Sequence, residues 1–340
     1  MIDARKIGCA VCARGLPPRV FCYFFEKTGV REMIYMKKLL AVALTLAMLF
    51  AMTACAGTPA AAEPVTMQDP SGQTFTVPAK IEKIVALAPA ITDIVFALGE
   101  GDKVIAADSF SMDVEGIDAA ICVLEIYPPN AEAIMSYEPD IVLVSGLSQV
   151  GDEDPYRMIK EAGISVAYIP SSESIAGIYS DIEFFGKVLG KDSQAKALVD
   201  GMKKEIADVA AIGSGIADKK SVLFEVSASP FIYSFGKDTF LNEMIDIIGA
   251  RNVMDVETGW IAVADEVAVA ANPDIILTNV NYIENPVGEI LARPAFADVT
   301  AVKNADVYYI DANSSAQPSH NIIKALKQMA EAIYPELYGF

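Results

Sequence analysis

Histidine is nearly missing from this chain: among 340 residues only His320 represents it. The shortage leaves no Ser-His-Asp set to read, and no second ligand pair at zinc spacing for Cys9 and Cys12. Cysteine is scarce as well, since beyond residue 54 only Cys55 and Cys122 occur. A disulfide framework is excluded there, and Cys122 is expected to pack as a small buried hydrophobe. Arginine is the third shortage: past residue 54 the chain has only Arg157, Arg251 and Arg293. The same region holds 18 basic against 42 acidic residues, a net charge of about −24, and such a surface repels nucleic acid and anionic headgroups. A Walker loop and a G-x-S-x-G elbow are absent too. Ser234 to Lys237 spells SxxK, but no SDN or KTG partner accompanies it and Gly236 makes the segment a turn. The chain reads as something other than an enzyme.

What is present first is an address. Met36-Lys37-Lys38 and the apolar run Leu39 to Met52 supply the charged and hydrophobic regions of a secretory signal, and the run is short for a spanning helix of about 20 residues. Met52-Thr53-Ala54-Cys55 closes it. That ending resembles the bacterial lipobox, which implies diacylation of the Cys55 sulfur and a place on the extracytoplasmic face of the cell membrane, periplasmic where an outer membrane exists. Residues 36–54 are therefore expected to be a lipoprotein signal peptide, and residues 55–64, rich in Ala, Thr and Pro, a tether. Residues 1–35 are expected to be an upstream extension ahead of the true start at Met36.

The second feature is a segment written twice. Glu132 precedes Pro139-Asp140-Ile141-Val142-Leu143-Val144, and Glu266 precedes Pro273-Asp274-Ile275-Ile276-Leu277-Thr278 at the same interval. In each copy a short helix runs into a β-branched strand buried on both faces. Around the copies, strands and helices alternate. Val65 to Pro78 reads as a hairpin about Pro70-Ser71-Gly72; strands are expected at Lys83–Leu87, Val104–Ala107, Ile164–Ile169, Ser221–Val226, Arg251–Met254 and Asp306–Ile310. Helices are expected over Ile91–Leu98, Arg157–Ala162 and Thr239–Ile248. This alternation predicts an α/β fold of two Rossmann-like lobes with parallel sheets, over residues 65–190 and 214–340. Between them, residues 191–213 are expected to form one long linking helix stopped by Gly213-Ser214-Gly215.

Six segments carry a resemblance to a known family: KIVALAPAITDIVFALG, NAEAIMSYEPDIVLVS, SVLFEVS, FGKDTFLNEMIDIIGARNV, GWIAVADEVAVAANPDIIL and VKNADVYYID. Together they resemble the helix-linked substrate-binding proteins of bacterial ABC importers that take up ferric siderophores, haem and cobalamin, over roughly residues 65–338. The resemblance implies that Glu132 and Glu266, one per lobe, dock on arginines of the transporter. It also implies a permease and ATPase complex as partner, a monomeric binding protein, and a metal chelate as ligand with no cofactor.

A ligand cleft is expected between the lobes, on loops leaving the carboxyl ends of the strands. In the first lobe that selects Pro89, Ala90, Ile91, Ser109, Phe110, Tyr127 and the loop from Ser145 to Gln149. In the second it selects Ser227, Ser229, Tyr233, Phe235, Trp260, Asn279, Asn281, Tyr282, Asn313 and His320. His320 is open to two readings, an axial ligand to haem iron or cobalt or a side chain that hydrogen-bonds the backbone at a helix entrance. No other metal ligand is expected. The shortage of arginine disfavours an anionic catecholate chelate, so cobalamin, a related corrinoid or a hydroxamate siderophore is expected. The segments GKDTFLNEM and GARNV resemble those of cobalamin binders, and that resemblance implies a corrinoid; haem binding, or sensing without transport, are the alternatives.

Overall fold

The computed structural model describes residues 65–125, 128–146 and 154–340. The expectations for the extension, the signal peptide, Cys55, the tether, Tyr127 and Leu147 to Gln149 fall outside them. Within the described residues, β1 (Val65–Gln68) and β2 (Thr74–Val77) form the expected antiparallel hairpin. Asp69 makes its turn, accepting from Ser71 N at 3.0 Å and Gln73 N at 2.9 Å. Its second oxygen accepts from Tyr168 N at 2.9 Å, which pins the hairpin to the first lobe.

That lobe comprises β3 (Ile84–Leu87), α1 (Pro89–Ala97), β4 (Val104–Asp108), β5 (Cys122–Leu124), α2 (Ala131–Ser136), β6 (Ile141–Ser145), α3 (Arg157–Glu161) and β7 (Ser165–Ile169). The five strands are parallel in the order β5-β4-β3-β6-β7. Ile84 to Leu87 and Ile141 to Val144 are wholly buried at the sheet's centre, as unbroken β-branched runs require. The strand order reverses between β3 and β6, and a crevice opens where the two chains leave in opposite directions. Helix α1 begins two residues earlier than expected because Pro89 fills its first turn, where the missing N–H costs nothing.

Two helices follow, α4 (Ile175–Leu189) and α5 (Asp192–Gly213), separated by Gly190 at φ 67°. A left-handed residue there ends α4, and glycine adopts it without strain. Helix α5 buries Ala195, Val199, Met202 and Val209, the spacing of one helical face.

The second lobe contains β8 (Ser221–Glu225), β9 (Ile232–Phe235), α6 (Phe240–Ile248), β10 (Arg251–Asn252), β11 (Trp260–Val263), α7 (Asp265–Ala271), β12 (Ile275–Thr278), α8 (Pro286–Leu291), α9 (Thr300–Asn304), β13 (Val307–Tyr309), α10 (Ala312–Ser315) and α11 (Ile322–Ile333). Its four-stranded sheet is parallel, ordered β10-β8-β12-β13. The expected strand at Arg251–Met254 shrinks to β10, because Asn252 turns the chain by accepting from Met254 N at 2.9 Å. An antiparallel pair, β9 with β11, was not expected; its strands lie far apart in sequence and carry no hairpin turn signal.

The duplicated Pro-Asp has a structural task. Asp140 accepts from Glu82 N and Lys83 N at 2.7 and 2.9 Å, and Asp274 accepts from Ser221 N and Ser221 Oγ at 2.8 and 2.7 Å. Each aspartate thus ties the start of its own strand to the start of the lobe's central neighbour. One apolar core then runs through both lobes, joining Ile91, Phe185 and Val199 to Leu241, Ile310 and Leu326. The lobes are joined by packing as well as by the helix.

Candidate functional site

A cavity of about 420 Å³ opens at the carboxyl edge of the first sheet, within the range of small-molecule sites. Pro89, Ala90, Ile91, Phe110 and Ser145 line it, as the loop rule predicted. Ile169, Pro170, Ser171, Ser172, Asp181 and Phe185 line it too, and Ala316, Gln317 and Pro318 bound it from the second lobe. Sequence reasoning missed these. Ser171 and Ser172 leave the end of β7 and obey the same rule as the other loops. Asp181 is a carboxylate on the buried face of α4, among Ile178, Ile182 and Phe185, and a charge at helical spacing among apolar residues is a legible signal.

Among the described residues, Asp181 is the only ionisable one lining the cavity. Its Oδ2 accepts from Ser172 Oγ at 2.6 Å, and burial pushes the carboxyl up to about 6 despite that bond. A smaller cavity of about 110 Å³ shares Pro89, Phe110 and Gln317 with the first and is lined by Asp93, Asp113, Glu115 and Asp311, with Lys324 the one cation among the described residues. Asn313 lines this second space, and its Nδ2 lies 3.5 Å from Asp113 O across the lobes.

In the second lobe the expected residues divide. Tyr282 and Tyr233 are exposed; the Tyr282 hydroxyl accepts from Ala228 N at 2.9 Å. Trp260 keeps about a third of its surface exposed. Its ring meets Phe235 and Phe240 edge-on at 5.9 and 6.3 Å, and its Nε1 donates to Glu173 Oε2 at 2.9 Å, bridging the lobes. Two expectations, Phe235 and Asn279, need correcting. Phe235 is wholly buried against Phe224 and Trp260, so it supports the tryptophan and does not face the cleft. Asn279 is buried and donates to Ser315 Oγ at 3.0 Å, which commits its amide to lobe packing. Ser229 Oγ donates to Asp265 Oδ2 at 3.2 Å, tying its loop to the first turn of α7.

His320 requires a correction as well. Asp93, buried on α1, accepts from Ser319 Oγ and Asn321 Nδ2, both at 2.7 Å. These bonds fasten the entrance of α11 to the first lobe and place His320 between them. Its Nδ1 is buried with no hydrogen-bond partner among the described residues, and it lines neither cavity. Burial lowers its pKa, opposed by Asp93 and Glu115. Lining neither cavity, its imidazole is not placed against a ligand held in them. Among the described residues no group of three or more His, Cys, Asp or Glu could hold a metal ion.

Glu132 and Glu266 occupy equivalent exposed places, each in the first turn of a short helix, α2 or α7. Asn130 caps α2 by accepting from Ala133 N at 3.0 Å, so Glu132 is not spent on capping. The helix dipole favours both acids where they stand.

Two parallel α/β lobes, joined by a helix and a shared core around an apolar cavity, define a two-lobed solute-binding protein. The chain belongs to the periplasmic binding protein family, whose description matches residues 84–314. It is 34% identical over 280 residues to an uncharacterized ABC transporter substrate-binding lipoprotein, YvrC, of Bacillus subtilis, covering 81% of this chain and 87% of that one. A cobalamin-binding protein of Halobacterium salinarum is 25% identical over 280 residues, covering 80% of this chain and 74% of its own. Among solved structures, a possible iron-binding, periplasmic solute-binding protein of Staphylococcus epidermidis superposes with a TM-score of 0.66 at 27% identity, covering 75% of this chain and 99% of that one. The chain is a substrate-binding protein of the kind that serves ABC importers, and not an enzyme. Among the described residues no helix is long and apolar enough to cross a membrane.

Proposed function

We propose that this protein is a lipid-anchored receptor on the extracytoplasmic face of the cell membrane that captures an uncharged or cationic metal chelate, a corrinoid foremost, and delivers it to an ABC permease. The observation that carries the ligand class is the lining of the cleft. Among the described residues no lysine, arginine or histidine lines the larger cavity, and acids outnumber the single lysine in the smaller. An anionic ferric catecholate would lose its hydration there and meet carboxylates in return. An uncharged chelate instead gains from apolar walls and from the exposed rings of Phe110, Tyr233 and Tyr282. The name of the Halobacterium relative supports the corrinoid within that class.

The anchor rests on Cys55 and the run before it, since two or more acyl chains hold a protein to a bilayer stably where one does not. Glu132 and Glu266 are the proposed transporter contacts, because bidentate pairing with arginine suits exposed carboxylates presented one per lobe. Calorimetric titration of the purified chain with cyanocobalamin, a ferric hydroxamate and a ferric catecholate tests the ligand class. Cyanocobalamin is expected to bind with micromolar or tighter affinity and the catecholate not at all; tight catecholate binding would refute the class.

A further inference from the structure

Asp181 is buried, with 7% of its surface exposed, and its carboxyl belongs to the wall of the larger cavity. Among the described residues no lysine, arginine or histidine pairs with it; burial and the Ser172 hydrogen bond account for its state. The serine is brought there by a close approach: a Cβ on Gly177 would lie 2.7 Å from Ser172 Oγ. A carboxylate without a cation in an apolar wall is unfavourable for the empty protein. Its oxygens can be satisfied by a donor that arrives with the ligand, and a charge-assisted bond made away from water is the strong kind. The same carboxylate repels a second carboxylate brought to that wall.

Resting on the corrinoid reading above, we propose that Asp181, braced by Ser172, is the specificity-determining residue of the cleft. It accepts a hydrogen bond from an amide or hydroxyl donor of the chelate and excludes chelates that present a carboxylate there. A corrinoid carries primary amides around its rim, and haem carries carboxylates. The selection is therefore between two flat metal macrocycles of similar apolar character by the charge of their side chains.

The test uses cyanocobalamin and its monocarboxylic acids, each with one peripheral amide hydrolysed, titrated calorimetrically into the full chain in detergent. The wild type is expected to bind at least one acid isomer about tenfold or more weakly than cyanocobalamin. Asp181→Asn, nearly isosteric and able to donate to a carboxylate, is expected to narrow that ratio to about threefold or less. Melting curves confirm that Asp181→Asn folds. Corrinoid binding with a ratio unmoved by Asp181→Asn, or no acid isomer discriminated by the wild type, overturns the assignment and leaves the corrinoid reading intact. A wild type that takes haem and no corrinoid, or no chelate at all, overturns both.

Discussion

A carboxyl raised by burial marks a residue that the empty protein holds at a cost. Asp181 goes from an ordinary 3.8 to about 6, so the folded state keeps its proton where the unfolded chain has already lost it. Stability tied to this group is full below the ordinary value and declines as pH rises towards the raised one, by on the order of 3 kcal/mol in total. Asp181→Asn removes that decline. In the absence of ligand the variant is expected to melt above the wild type at neutral pH, with the gap closing in mild acid below pH 4. A gap that widens in acid would contradict the assignment of the shift to burial. Two other buried acids are arranged differently. Glu225 is wholly buried and raised by burial, yet Arg293 meets both its oxygens at 2.7 and 2.9 Å. Asp93 is occupied by Ser319 and Asn321. Of the three, Asp181 alone lines the larger cavity.

At the scale of elements, the link between lobes is stiff because of what its end touches. A Cβ on Gly213, the last residue of α5, would lie 2.2 Å from Ile247 O, and one on Gly249 would lie 2.4 Å from Gly213 O. Tyr338 donates to Ile248 O at 2.7 Å beside this crossing. Gly213→Ala therefore has to push two helix ends apart and is expected to cost about 1–3 kcal/mol. Gly201, in the middle of the same helix, has nothing within 4 Å of its missing Cβ. Gly201→Ala is expected to stabilise by about 1 kcal/mol. Urea denaturation midpoints moving in opposite directions would support this account, and equal shifts would contradict it.

The same elements show how far the sequence reaches. The buried strands β3, β6, β8 and β12, the Gly190 break and the hairpin β1-β2 are legible because local composition alone determines them. The cavity's first-lobe loops are legible for a related reason, since a parallel strand's carboxyl end predicts where its loop lies. What composition does not carry is partnership at long range. The pairing of β9 with β11 joins segments separated by α6 and β10, and it sets Phe235, which is buried, against Trp260, which keeps about a third of its surface exposed. The setting of His320 is long-range as well: Asp93, more than 200 residues away, holds its two neighbours Ser319 and Asn321. The aspartates of the repeat look like loop residues in sequence and prove to be clamps on neighbouring strands.

For the whole molecule, a shared core and polar contacts join the lobes. Trp260 meets Glu173, Glu243 accepts from Ile175 N at 2.9 Å, and Asp93 holds the entrance of α11. In the docking proposed above, a body so connected would offer its two exposed glutamates to the transporter as a pair. Ligand capture and docking then lie on different residues and should separate by mutation. The most direct test of the account is uptake of radiolabelled cyanocobalamin by host cells lacking this chain, complemented with wild type, with Cys55→Ser or with the double variant Glu132→Arg, Glu266→Arg. Wild type is expected to restore uptake, Cys55→Ser to lower it as the protein leaves the membrane fraction, and the double variant to abolish it while its calorimetric affinity for cyanocobalamin is unchanged. Uptake that proceeds equally with the double variant, or without the chain altogether, would contradict the account.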